Sequence, residues 1–153
     1  MSATASKTPI YYNSLYRHGV DEKRRVQVPA KWRSDAEVVF TIIPWGVKSL
    51  AGACLLGLPP EEFAALVAKV KAMSFSDPKA EALRRLIGAD SIQVTVDRAG
   101  RICLPEPMAK VAGIEGEAVL VGLLDRFQIW NPARFEAIRA VDETLSQEAF
   151  SLI

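Results

Sequence analysis

Histidine is almost missing from this 153-residue chain: His18 is the only one. Cysteine occurs twice, at Cys54 and Cys103, and never as a CxxC pair. A structural zinc site of thiolates and imidazoles therefore has no ligand set, and neither metal nor cofactor is expected. Without a second histidine, or a cysteine near His18 in sequence, no nucleophile–base pair can be assembled. Neither a Gly-rich Walker loop nor an HExxH pattern occurs. An enzyme with a small-molecule substrate is thus not expected. No run of about 18 apolar residues is present, so no membrane-spanning helix is expected. A basic head followed by an apolar stretch is also lacking at the start, so no signal peptide is read. Both cysteines have apolar neighbours and read as reduced core residues of a cytoplasmic protein.

Half of the residues are hydrophobic, enough for a sizeable core in one domain or two small fused ones. Residues 1–10, rich in Ser, Thr and Ala, read as a flexible tail. The net charge is only +1, but it is unevenly spread. Residues 1–33 carry seven basic side chains against two acidic ones, a local +5, which leaves −4 for the remainder. Such a front can direct a polyanion to one face, or it can be a solvated surface without a partner.

The chain contains an internal duplication. Val20-Asp21-Glu22-Lys23-Arg24-Arg25-Val26-Gln27-Val28-Pro29 is echoed by Val96-Asp97-Arg98-Ala99-Gly100-Arg101-Ile102-Cys103-Leu104-Pro105. Val, Asp, Arg and Pro recur at an offset of 76. A second anchor, Pro60 to Phe63 against Pro132 to Phe135, recurs at 72, so the first copy is about four residues longer in its middle.

Each copy reads alike. Ile92, Val94 and Val96 alternate with polar residues as a half-buried strand does. Asp97 to Gly100 has turn composition, since aspartate caps its own backbone and glycine accepts positive φ. Ile102 and Leu104 resume the alternation, predicting a hairpin. Pro107 to Ala112 predicts a short helix closed by Gly113. Ala118 to Leu124 and Phe127 to Trp130 predict strands around a turn at Asp125-Arg126. Asn131 and Pro132 predict a helix start, with Phe135, Ile138, Asp142 and Leu145 near one face. In the first copy Val26 and Val28 alternate after the turn. A short helix begins over Pro29 to Arg33. Strands are expected at Val38 to Ile43 and Ala53 to Leu58, and a helix at Pro60 to Met73. A linking helix from Asp77-Pro78 to Ile87, ending at Gly88, is expected to turn Leu83, Leu86 and Ile87 inward.

The segments DEKRRVQVPAKWR (Asp21 to Arg33), DRAGRICLP (Asp97 to Pro105) and LVGLLDRFQIWNPARFE (Leu120 to Glu136) resemble the MraZ family. That family comprises bacterial regulators associated with the division and cell-wall gene cluster. The resemblance spans about Tyr12 to Ile138. It implies an α+β chain of two tandem AbrB-like swapped-hairpin repeats, forming a double-split β-barrel with flanking helices. On that reading, residues 11–75 are the first repeat, 76–90 the linking helix, 91–140 the second repeat and 141–153 a C-terminal helix or tail. It further implies a cytoplasmic, nucleoid-associated transcriptional regulator that self-associates into a ring. Its partner would be double-stranded DNA with short direct repeats upstream of its own operon. The chain departs from the pattern at Arg24, where the first motif usually has glycine, at Ala99, where lysine is usual, and at Ser14, often a glycine.

By this resemblance Arg25 and Arg101 are the foremost DNA-binding candidates, supported by Lys23, Arg24 and Arg98. Lysines and arginines gathered on a hairpin tip can meet several phosphates, and a two-stranded ribbon fits the major groove. Asp21, Asp97 and Gly100 are read as organising the turns rather than as catalytic groups. Trp32, Trp45 and Trp130 sit among apolar or helix-starting residues and read as core or subunit-interface side chains rather than base-stacking ones. Two other readings remain: an antitoxin-type DNA-binding protein using the helix beyond Ile138, and a ring-forming interaction protein without DNA.

Overall fold

A computed structural model of the chain describes residues 9–34, 37–46 and 52–153. The tail expected over residues 1–10 lies, apart from Pro9 and Ile10, outside them. The architecture is mixed α+β. In chain order it comprises β1 (Leu15–Gly19), β2 (Arg25–Gln27), a 3-10 turn (Ala30–Trp32), β3 (Val39–Trp45) and β4 (Cys54–Leu58). Two helices follow, α1 (Pro60–Lys71) and α2 (Pro78–Asp90). The second half repeats the plan: β5 (Ile92–Thr95), β6 (Arg101–Cys103), α3 (Glu106–Ala112), β7 (Glu117–Gly122), β8 (Phe127–Trp130), α4 (Pro132–Ala149) and a final 3-10 turn (Phe150–Leu152).

Strand pairing interleaves the two halves. Six strands form one sheet in the order β1-β7-β8-β4-β3-β5, and β2 pairs with β6 in a separate ribbon, all antiparallel. β1 of the first half thus lies beside β7 of the second, while β5 of the second lies beside β3 of the first. The register reproduces the sequence duplication. In the ribbon Arg25 faces Cys103, Val26 faces Ile102 and Gln27 faces Arg101. Val26 and Ile102 are themselves equivalent at the offset of 76, so an approximate two-fold axis passes between them. At the centre of the β4–β8 pair Leu56 faces Gln128, equivalents at the offset of 72. The extra length of the first copy sits in the β3–β4 connection, eight residues from Gly46 to Ala53. The β7–β8 connection has four, Leu123 to Arg126.

The apolar positions of both halves feed one core. Val26, Val28, Ile102 and Leu104 are fully buried with Trp32, Phe40, Leu120, Phe127 and Ile129. Phe127 lies 5.2 Å from Trp32 in a stacked arrangement and 5.0 Å from Phe40 edge to face. Such pairs add about 0.5–1.5 kcal/mol each beyond their burial. The ring of Phe127 also lies over Gly57, where a Cβ would meet its Cε1 at 2.6 Å, so β4 and β8 approach closely only because residue 57 has no side chain. The Trp32 indole N–H, which would otherwise be buried unpaired, donates to the Asn13 carbonyl at 3.1 Å.

Helix starts and stops follow their local chemistry. The Asn131 side chain caps α4 by accepting from the Arg134 N–H at 3.0 Å, and its amide donates to the Gly113 carbonyl at 2.7 Å. Gly113 ends α3 in the left-handed region at φ 67°. Asp77 caps α2 through the Lys79 N–H.

Several expectations require correction. α2 does not stop at Gly88; it continues to Asp90 with the glycine on an exposed face, where the missing side chain forfeits no contact. Leu86 faces outward, 49% exposed, while Ile87 is buried and Leu83 half-buried. Only the first turns of α4 pack: Phe135 is buried, Ile138 half-buried and Leu145 exposed, because the helix runs past the end of the sheet. The helix expected over Pro29 to Arg33 is a single 3-10 turn. Cys54 is buried as expected, but Cys103 is exposed, since it alternates with the inward Ile102 and Leu104. Trp32 and Trp130 are buried, whereas Trp45 is 43% exposed.

Candidate nucleic-acid interface

The two Asp-to-Arg motifs form the same turn. In the first, the Arg24 N–H donates to the Asp21 carbonyl at 2.9 Å and the Asp21 N–H to the Arg25 carbonyl at 3.2 Å. In the second, the Gly100 N–H donates to the Asp97 carbonyl at 2.9 Å and the Asp97 N–H to the Arg101 carbonyl at 2.8 Å. This is a type I turn followed by a left-handed bulge residue, a common three-residue hairpin loop. The bulge residue is Gly100 at φ 84° in one copy and Arg24 at φ 60° in the other. Ser14 likewise has φ 80°, so two positions at which the resemblance leads one to expect glycine keep glycine-type backbone without glycine.

Each aspartate organises its turn. Asp21 Oδ1 accepts from the Lys23 N–H at 3.0 Å and the Arg25 N–H at 2.8 Å, while Oδ2 accepts from Arg25 Nε at 2.6 Å. Asp97 Oδ1 accepts from the Arg101 N–H at 2.9 Å, and Oδ2 from Arg101 Nε at 3.2 Å. The Arg25 amide above all holds the Asp21 carboxyl below its ordinary 3.8; desolvation opposes it, and the Arg25 guanidinium and the Lys23 amide add to the lowering. The Arg101 amide does the same for Asp97. Because each arginine is gripped through Nε, its direction is set. Among the described residues, no hydrogen bond takes up the two terminal nitrogens of either guanidinium.

The ribbon brings both motifs to one surface. Val26 and Ile102 point into the core, so Arg25, Gln27, Arg101 and Cys103 point the other way. Arg25 and Arg101 stand on a diagonal of this square. Diagonal neighbours lie about 7–8 Å apart, well within the roughly 12 Å width of a DNA major groove. The tips flank the square, one at each end. Lys23 and Glu22 are exposed at the first, Arg98 and Ala99 at the second. Arg24 behaves differently: its Nε folds back to the Leu104 carbonyl at 3.0 Å, fastening the first tip to the end of β6.

Three side chains outside the sequence-derived set belong to this surface. Gln27 Nε2 donates to the Ala99 carbonyl at 3.0 Å, and at the equivalent position Cys103 Sγ donates to the Lys23 carbonyl at 3.3 Å. Each side chain braces the opposite tip. The guanidinium of Arg33 lies against Gly100, close enough that a Cβ there would meet Arg33 Cζ at 2.6 Å. The strict alternation of Val26-Gln27-Val28 carried the signal for Gln27; nothing local carried it for Arg33.

A family model described as "MraZ protein, putative antitoxin-like" matches residues 14–86 and again 87–151. The chain belongs to the MraZ family. Among curated MraZ relatives, "Transcriptional regulator MraZ" of Thermomicrobium roseum is 34% identical over 142 residues, covering 90% of this chain and 96% of that one. The protein of the same name from Acetivibrio thermocellus is 32% identical over 136 residues, covering 89% and 91%. That from Thiobacillus denitrificans is 35% identical over 130 residues, covering 85% and 87%. The two MraZ matches meet at residues 86 and 87, within α2. No helix among the described residues is long and apolar enough to cross a membrane.

Proposed function

We propose that this MraZ-family chain is a sequence-specific DNA-binding transcriptional regulator that reads the major groove with the outer face of the β2–β6 ribbon. The observation that carries this reading is the diagonal pair Arg25 and Arg101. Each is held by an aspartate through Nε, and among the described residues its terminal nitrogens make no hydrogen bond, which suits them to acceptors on a partner. A guanidinium presented that way suits bidentate bonding to guanine O6 and N7. Lys23 and Arg98, exposed at the two tips, suit phosphates. Arg24 contributes as a fastener of the first tip and as positive potential. Asp21, Asp97 and Gly100 act by fixing the turns. The names of the relatives support the regulatory role.

The fold reading extends accordingly. The sheet begins with β1 and ends with β5, and the hairpin partners of these strands, β2 and β6, pair with each other. This arrangement supports a double-split barrel of two swapped-hairpin repeats, residues 11–75 and 91–140, joined through 76–90 and followed by 141–153. Several chains acting together, as in a ring, would bind with an avidity well above that of one ribbon. The exposed apolar side chains Trp45, Leu124, Leu145 and Phe150 are consistent with self-association. Neighbouring subunits of a ring are related by rotation and would read direct repeats, here placed upstream of the chain's own operon in the division and cell-wall cluster. The protein would act in the cytoplasm at the nucleoid.

The test is titration of a duplex carrying the region upstream of the chain's own gene, against an unrelated duplex, at several salt concentrations. Preferential binding that weakens steeply with salt is the expected result. Equal, salt-independent binding of both duplexes would refute the reading. The exposed apolar end of α4 favours the antitoxin-type alternative only if a partner protein, rather than a second copy, is found to cover it.

A further inference from the structure

The ribbon surface is nearly two-fold symmetric, and that has a consequence for the DNA it meets. Val26–Ile102 lies on the axis, and the axis exchanges Arg25 with Arg101 and Gln27 with Cys103. The two braces are exchanged as well: Gln27 to the Ala99 carbonyl, Cys103 to the Lys23 carbonyl. A ribbon with identical side chains about that axis would prefer a base sequence that equals its own reverse complement. On the outer face, between the two arginines, the departure from symmetry is the amide of Gln27 against the thiol of Cys103.

Their chemistries differ in what they can read. A glutamine amide has two N–H donors and an acceptor oxygen. At Gln27 one donor is committed to the Ala99 carbonyl at 3.0 Å, which fixes the amide and leaves one N–H together with Oε1. That remaining pair is what a bidentate contact to adenine N7 and N6 requires. The brace removes rotamer freedom before binding, which lowers the cost of the contact. Cys103 is a small, weakly polar group suited to van der Waals contact with a thymine methyl or to no contact at all.

We propose that Gln27 is a specificity-determining side chain of this surface, reading an adenine. Its replacement by Cys103 at the equivalent position makes the two ends of the DNA site unequal. The proposal rests on the DNA-binding reading above and deepens it. A single chain then recognises a directional element, although its ribbon backbone is nearly symmetric.

The experiment selects bound duplexes from a pool with a randomised core, for the wild type and for Gln27→Ala and Cys103→Gln. The wild type is expected to select a sequence that is not self-complementary. Gln27→Ala should lose its preference for one A·T pair by about tenfold or more. Cys103→Gln should gain the same preference at the position related by the two-fold, making the selected sequence more nearly palindromic. This second variant adds an amide in a setting that already holds one across the axis, so it does not depend on a disrupted turn. If all three proteins select one and the same sequence with salt-dependent affinity, the proposal is overturned while DNA binding stands. If none binds above the level of unrelated DNA at any salt, both readings fall together.

Discussion

Position 24 tests whether the hairpin bulge is strained by the loss of glycine. Arg24 sits at φ 60° and Gly100, its equivalent, at φ 84°. A residue with a Cβ costs roughly 1–2 kcal/mol in the left-handed region, of which glycine's greater freedom in the unfolded chain returns about 0.5–1 kcal/mol. Arg24→Gly and Arg24→Ala both remove the bond from Nε to the Leu104 carbonyl, so they differ only in the Cβ. The glycine variant should therefore be the more stable by about 1 kcal/mol, or roughly 2–4 °C in Tm for a chain of this size. Relative to the wild type, Arg24→Gly exchanges a part-buried hydrogen bond of about 1 kcal/mol for relief of similar strain, and should be near neutral. Gly100→Ala should be worse than any of these. It adds the left-handed penalty and also drives a methyl to 2.6 Å from Arg33 Cζ and Gln27 Nε2, endangering the brace to Ala99. Its expected cost is about 2 kcal/mol. Thermal and urea melts of the four proteins decide the matter. Finding Arg24→Ala as stable as Arg24→Gly, or Gly100→Ala as stable as the wild type, would show that the bulge geometry carries no such strain.

Further expectations concern pH, thiols and the α4 cap. Asp21 and Asp97 have folded pKa values below their ordinary 3.8. The stability they contribute is therefore present above about pH 4 and is lost as pH falls through the lower folded values. The double variant Asp21→Asn, Asp97→Asn should lose less stability on acidification from pH 5 to about pH 2 than the wild type, and an identical profile would contradict this. Cys54 is buried, and desolvation pushes its thiol up to about 12, while Cys103 is exposed. Mass spectrometry after brief alkylation should show one modified thiol per native chain and two after denaturation. Cognate DNA should protect Cys103, and unchanged labelling in the complex would place the ribbon away from DNA. Asn131→Ala removes the cap on Arg134 and the bond to the Gly113 carbonyl. About 2 kcal/mol of destabilisation is expected, from about 1 for the cap and about 1 for the second bond. A melt within 1 °C of the wild type would count against the cap.

Much of the fold was legible because local chemistry and tertiary structure agree. The alternation around Asp97 to Gly100, the asparagine–proline start of α4 and the glycine end of α3 are each determined by neighbours within a few residues. The duplication at offsets of 76 and 72 went further, since it reappears as the two-fold registers of β2–β6 and β4–β8. What sequence could not supply is which strand lies beside which. No local feature of Arg25–Gln27 names Arg101–Cys103 as its neighbour, yet that pairing turns two separate tips into one face. The apolar neighbours of Cys103 suggest a core residue, but the period of two set by buried Ile102 and Leu104 turns it outward. Gly88 misled in the opposite way, because a glycine is tolerated inside an exposed helix at about 1 kcal/mol and need not end it. Leu145 continued an apolar stripe beyond the last element it could pack against.

Arg25 and Arg101 are proposed to work together on one DNA-facing surface. Fluorescence anisotropy with the upstream duplex, at 50 to 200 mM salt, compares the wild type with Arg25→Ala, Arg101→Ala and the double variant. Each single change should weaken binding by about tenfold or more, since a bidentate guanine contact is worth about 1–3 kcal/mol. The double variant should fall to the level of unrelated DNA. An Arg101→Ala protein that binds like the wild type, with Arg25→Ala alone impaired, would contradict a shared surface and leave the second motif as a structural element only.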